Sequence, residues 1–208
     1  MSAVIFLTGD LHGRNIQLLI PDWNRQPTPD YAPTKDPNGW GIKCQEIPLR
    51  EGVNVIHVQQ GGNVYLDYFA DDPETAPEIS IHFPTGLVNG YFDSSIHSNE
   101  EWNRLLDNAV SPVMDARGKY IQTVYPVQYL KQFAYGKGIE LMENYDQIMY
   151  QQYTFMGAVK YNCIPQKRIL ARVNYNYYMF RDGDGDSLKR ETFKSKIMHS
   201  TTLPSHLR

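Results

Sequence analysis

The hydrophobic pattern of this sequence changes period once, within the stretch Ile79-Ser-Ile-His-Phe-Pro-Thr-Gly-Leu-Val-Asn-Gly-Tyr-Phe-Asp93. Before it, short apolar or alternating runs are broken by Pro and Gly; after it, apolar residues recur at intervals of three and four. Side chains alternate across a strand and repeat every 3.6 residues around a helix. The sequence therefore predicts an α+β chain, with an N-terminal β-sandwich over residues 1–93 and a mixed α/β portion over 94–208. A chain of 208 residues is long enough for one large domain or two small ones, each with its own core.

In the first part, Ala3 to Leu7 and Ile16 to Ile20 are apolar runs of strand length, ended by Thr8-Gly9-Asp10 and Pro21-Asp22, and read as buried strands. Pro21, Pro27, Pro29, Pro33 and Pro37 then remove too many backbone donors for a sheet interior, which makes the segment to Trp40 a long surface loop. Trp23 and Trp40 flank it. They either pin the loop to the sandwich, the plainer reading, or form a substrate-binding platform. Val53 to Gln60 and Asn63 to Phe69 alternate, with a switch from Val53 and Val55 to Ile56 and Val58 that indicates a bulge. Gly61-Gly62 between them supplies the positive φ of a tight hairpin. Ile79, Ile81 and Phe83 mark a further half-buried strand, and His57 and His82 read as structural histidines.

In the second part, Ser98 with Glu101 forms a capping box ahead of Trp102, Leu105, Leu106 and Ala109 at helical spacing. Tyr120 to Tyr125 reads as a strand, and Pro126 begins a short helix through Phe133, where its missing N–H is not needed. The longest helix is expected from Ile139 to Met156, ended by Gly157. Met142, Met149 and Met156 on its apolar side read as core packing. Ile169 to Phe180 alternates as a strand.

Asp182, Asp184 and Asp186 begin like a calcium loop, with carboxylates at alternate positions converging on a hard cation. Ser187 stands where that loop needs Gly and Phe193 where it needs a bidentate Glu, so a flexible acidic turn is the favoured reading. The remaining residues, with Lys189, Arg190, Lys194 and Lys196, are weakly patterned and read as a poorly ordered basic tail. Cys44 and Cys163 match no zinc or redox spacing and are either one long-range disulfide or two buried thiols. A formal charge of -3 offers no basic field for nucleic acid, and no segment has the length and apolarity of a membrane span. The N-terminus has no signal-peptide pattern. Fifteen Tyr suit either a β core or a recognition surface.

None of the six histidines is spaced from another as in H-E-x-x-H, and the sequence contains no G-x-S-x-G, P-loop or dinucleotide fingerprint. The residues alone thus give no catalytic group and no metal ligand set.

The ordered series Thr8-Gly9-Asp10-Leu11-His12-Gly13-Arg14-Asn15-Ile16, Gly52-Val53-Asn54-Val55-Ile56, Gly61-Gly62-Asn63-Val64-Tyr65, Ile81-His82-Phe83, Asn89-Gly90-Tyr91-Phe92-Asp93, Tyr145-Asp146, Gln151-Gln152 and Met156-Gly157 resembles the enhancin-like zinc metallopeptidases, metallopeptidase family sixty. The resemblance implies a secreted or surface-anchored gluzincin acting on mucin-type glycoproteins. It also implies a β-sandwich packed on an α/β portion that leads to an H-E-x-x-H helix with a downstream Glu ligand. That zinc helix would follow Met198-His199-Ser200-Thr201, so no catalytic or zinc-binding residue carries over to this sequence. The expectation is an N-terminal portion that is not catalytic as it stands, with zinc a cofactor of the family rather than of these residues. The alternative is a stand-alone carbohydrate- or glycoprotein-binding module using Trp23, Trp40 and exposed tyrosines; a ligand-free surface protein is a third.

Overall fold

The structure is a computed structural model that describes residues 2–22, 44–59, 61–68, 76–172 and 201–203. The chain divides into two compact units: one contains the described residues up to Val88 together with Thr201–Leu203, and the other begins at Asn89. The second unit includes β8 (Phe92–Asp93), which pairs in parallel with β9 (Val113–Arg117).

The first unit is a β-sandwich. Its smaller sheet has the order β4-β1-β6, with β4 (Gly52–His57) and β6 (Ser80–His82) both antiparallel to β1 (Ser2–Thr8). The larger sheet has the order β3-β2-β5-β12-β7, formed by β2 (Ile16–Pro21), β3 (Cys44–Leu49), β5 (Gly62–Tyr68), β7 (Leu87–Val88) and β12 (Thr201–Leu203). Ala3, Ile5, Leu7 and Ile56 of one sheet share a core with Ile16, Leu18, Ile20, Leu49 and Val64 of the other. Burial of such aliphatic side chains, roughly 1.5–3 kcal/mol each, is what holds two sheets face to face.

Several expectations change here. β1 is not buried on both faces: Val4 and Phe6 are 38% and 40% exposed while Ile5 and Leu7 are buried. Gly61-Gly62 does not close a hairpin, because β4 pairs with β1 and β5 with β2, in different sheets; Gly62 lies within β5 and does not have a positive φ. Nor is there a bulge at Val55-Ile56, since the β1–β4 register runs unbroken from Leu7↔Gly52 to Ser2↔His57. Val53 and Val55 face outward because the inward position between them is Asn54, which is buried. Its amide accepts from Arg50 N at 2.9 Å and donates to Arg50 O at 2.7 Å, so the β3–β4 turn is satisfied from inside. Thr201–Leu203, expected in a poorly ordered tail, instead forms β12 between β5 and β7.

The second unit carries the mixed sheet β11-β10-β9-β8, with β10 (Ile121–Pro126) antiparallel to β9 and parallel to β11 (Ile169–Arg172). Phe92, Met114, Ala116 and Ile121 pack with residues of the three helices. Helix α1 (Asn99–Asp107) starts with the expected capping box: Ser98 Oγ accepts from Glu101 N while Glu101 accepts from Ser98 N. Helix α2 (Val127–Phe133) has Pro126 as its N-cap, and α3 (Gly138–Phe155) ends before Gly157 at φ +79°. Met142 and Met149 are in the core as expected, but Met156 is 64% exposed. Trp102, fully buried, ties the helices together, donating from Nε1 to Ala134 O at 2.8 Å.

Candidate functional site

Strand alternation and register divide the mixed sheet into two chemically distinct faces. Phe92, Met114, Ala116, Ile121 and Ala171 share the core side; Asp93, Asp115, Arg117, Gln122 and Arg172 share the other. Burying carboxylates on a sheet face costs several kcal/mol unless each finds donors. Asp115, 3% exposed, accepts from Gln122 Nε2 at 3.2 Å.

Asp93 is the better-defined centre. The chain leaves β8 in a turn that brings Ser95 N and Oγ to Asp93 Oδ1 at 3.0 and 2.6 Å, while Arg117 Nε binds Oδ2. Burial by itself would raise the Asp93 carboxyl, but the Ser95 hydroxyl and amide and the Arg117 guanidinium together outweigh it and hold the group below the usual carboxylate range. Asp93 is therefore an ionised anchor and not a general base poised near neutral pH. His97 Nδ1 accepts from Asp93 N at 3.0 Å, so the proton of the neutral ring sits on Nε2. Arg117 lies over the Tyr91 ring, its guanidinium carbon 5.1 Å from the centroid, and the His97 ring is 6.0 Å from Tyr91 on centroids.

A second ordered element is the β9–β10 turn. Asp146 of α3 accepts from Lys119 N and Tyr120 N, and Arg168 Nε donates to Gly118 O at 2.6 Å. Tyr120 stacks on Tyr150, and Tyr125 and Tyr145 share a hydroxyl hydrogen bond of 2.8 Å. Burial and that bond push the Tyr125 phenol up.

The sequence-derived candidates Trp23 and Trp40, and the calcium candidates Asp182, Asp184 and Asp186, lie outside the described residues. His57 and His82 sit at outward positions of the small sheet, His82 with its ring 6.1 Å from Phe6. Cys44 and Cys163 are not joined by a disulfide, and Cys163 is exposed rather than buried. Among the described residues no group of three or more His, Cys, Asp and Glu is placed to hold a metal ion. Among them, too, no helix is long and apolar enough to cross a membrane. The Asp93–Arg117 pair escaped sequence reasoning because its partners are on different strands. The sequence signal was Val113-Met-Asp-Ala-Arg117, in which two charges alternate with two core residues.

An α+β scaffold with a β-sandwich unit and a helix-backed mixed sheet, bearing a polar face, is the architecture these data define. Residues 86–198, more than half of the chain, match the family described as peptidase M60, enhancin and enhancin-like, and the chain belongs to that family. The fold is similar to a metallopeptidase from Bacteroides thetaiotaomicron, with a TM-score of 0.61 at 20% identity over 81% of this chain and 28% of that one. It is likewise similar to a metallopeptidase in complex with Tn antigen, with a TM-score of 0.61 at 20% identity over 81% of this chain and 30% of that one. The catalytic module of the metalloprotease ZmpA from Clostridium perfringens matches with a TM-score of 0.60 at 14% identity, over 89% and 40% of the two chains. The chain thus spans well under half the length of these structures. No curated protein matches the sequence.

Proposed function

We propose that this chain provides the N-terminal, non-catalytic portion of an enhancin-like zinc metallopeptidase directed at mucin-type glycoproteins. It contributes the sandwich and the front of the peptidase fold. The observation that carries the reading is the family match over residues 86–198 in a sequence that contains no H-E-x-x-H. Zinc in such enzymes lowers the pKa of a bound water and polarises the scissile carbonyl, and the described residues offer no ligand set for it. The glycoprotein substrate is supported by the structural likeness to a metallopeptidase in complex with Tn antigen. An extracellular or cell-surface location follows from the same family reading.

Incubation of the purified chain with mucin and zinc tests it. No chelator-sensitive cleavage is expected, and specific cleavage abolished by chelator overturns the non-catalytic assignment. Trp23 and Trp40 are proposed to contact the glycan, and Trp40→Ala is expected to weaken binding on a glycan array.

A further inference from the structure

We propose that β4 is a pairing edge, through which two copies of this chain join antiparallel, the sheet β6-β1-β4 of one copy continuing into β4-β1-β6 of the other. The pairing does not depend on the metallopeptidase reading above.

A strand at the end of a sheet presents unpaired backbone groups, and proteins blunt such edges with Pro, charged side chains, bulges or very short strands. The other described edges of the sandwich are blunted in these ways: β3 carries Glu46 and Pro48, β6 has three residues and β7 two. β4 is not. It ends the smaller sheet with six residues, Gly52-Val-Asn-Val-Ile-His57, that include no Pro, Lys, Arg, Asp or Glu, and its register against β1 contains no bulge. Its outward side chains are apolar, with Val53 51% and Val55 73% exposed.

Self-complementarity selects a second copy as the occupant. Residues directly opposite in an antiparallel pair share a face of the sheet, so a two-fold axis at Asn54 sets Val53 against the partner's Val55 and Glu51 against the partner's His57. Within one copy, β1 already places Phe6 beside Val53 and Val4 beside Val55. The pairing therefore extends one apolar row through Phe6, Val53, the partner's Val55 and the partner's Val4, and the axis repeats it. Such opposed side chains are the unit by which strands stabilise one another. At the strand ends an exposed carboxylate, Glu51, meets an exposed imidazole that can donate to it. An unrelated strand would have to reproduce both the apolar spacing and the acid–imidazole pair, whereas a second copy supplies them by symmetry.

Sedimentation equilibrium of the intact chain tests the pairing. The mass is expected to rise from 24.0 kDa towards that of a dimer as concentration approaches about 1 mM, the range of a weak edge-to-edge association. Val55→Lys puts a charge into the apolar row at an exposed position and is expected to raise the dimer Kd at least about tenfold. Register is read by cross-linking, in chains carrying Cys44→Ser and Cys163→Ser. On mild oxidation a mixture of Val53→Cys and Val55→Cys is expected to form a disulfide-linked dimer at least about tenfold faster than either variant alone, because only the mixture sets the thiols directly opposite. A monomer throughout that concentration range, a dimer indifferent to Val55→Lys, or equal cross-linking in the three samples overturns the proposal. If Val55→Lys fails to fold, the cross-linking comparison decides.

Discussion

Asp146 and Tyr120, far apart in sequence, meet through a hydrogen bond of 2.7 Å from the Tyr120 backbone N–H to Asp146 Oδ1, while Oδ2 takes the neighbouring Lys119 N–H at 2.6 Å. One carboxylate thus closes the β9–β10 turn from the adjacent helix. Asp146→Ala leaves two amides without this partner and is expected to cost about 2 kcal/mol, whereas Asp146→Asn retains one acceptor and costs about half as much. Urea unfolding of the three proteins gives the ordering. Gly118→Ala is expected to destabilise as well, because its Cβ would meet the Asp146 carboxylate itself.

Acid should loosen the second unit through Asp93. Its folded-state pKa lies below the unfolded value, so its contribution is fully present above the unfolded carboxylate pKa of ~3.9 and is lost as pH falls through the lower native value. Thermal midpoints measured between neutral pH and pH 2.5 are expected to fall below about pH 4. In Asp93→Asn that part of the pH dependence disappears, at the expense of a lower midpoint at pH 7. An equally steep acid limb in the variant would assign the effect to other groups.

Helix α3 starts in close contact with Trp102, and Gly138 makes that approach feasible. A Cβ at Gly138 would stand 2.5 Å from Trp102 Cγ, against a ring that is fully buried. Gly138→Ala should therefore destabilise by about 1–3 kcal/mol through overpacking, although alanine is the better helix former. Near-UV circular dichroism of the tryptophan reports the displacement. Retained signal with unchanged stability would show that the helix shifts freely.

In the sandwich, Asn54 is the residue whose loss should be felt most for its size. Asn54→Ala removes the bonds to Arg50 and leaves those turn groups without a side-chain partner, an expected loss of about 2 kcal/mol in chemical denaturation. Asn54→Val, which restores the apolar alternation, tests whether shape or hydrogen bonding sets that position: stability equal to the parent would favour shape.

What the sequence disclosed follows the range of the interaction involved. The capping box at Ser98 and Glu101, the burial of Met142 and Met149 on α3 and the terminating Gly157 are settled within one or two helical turns and are present, whereas Met156, at the end of the same stripe, is exposed. Partner choice among strands is not local. Gly61-Gly62 carries hairpin chemistry, but β4 pairs with β1 and β5 with β2, in two different sheets whose buried faces, Ile56 on one and Leu18 and Ile20 on the other, share one core. Asn54 misled the alternation for a related reason: its polarity is answered by the backbone of Arg50, which no hydropathy pattern records. The Asp93–Arg117 pair is set by parallel pairing across an intervening helix, so only the assembled sheet joins them.

Strand β12 lies between β5 and β7, so the larger sheet of the first unit includes a strand from residues 201–203. On the ribosome the described strands and helices of the second unit, β8 to β11, emerge before that strand exists. The sandwich, begun at Ser2, waits with an open gap in its larger sheet, an unpaired edge on β5 that invites pairing with other chains. Chain order therefore places a strand that completes the larger sheet of the first unit after the described part of the second, and a nascent chain stalled before it would expose the β5 edge to copies of itself.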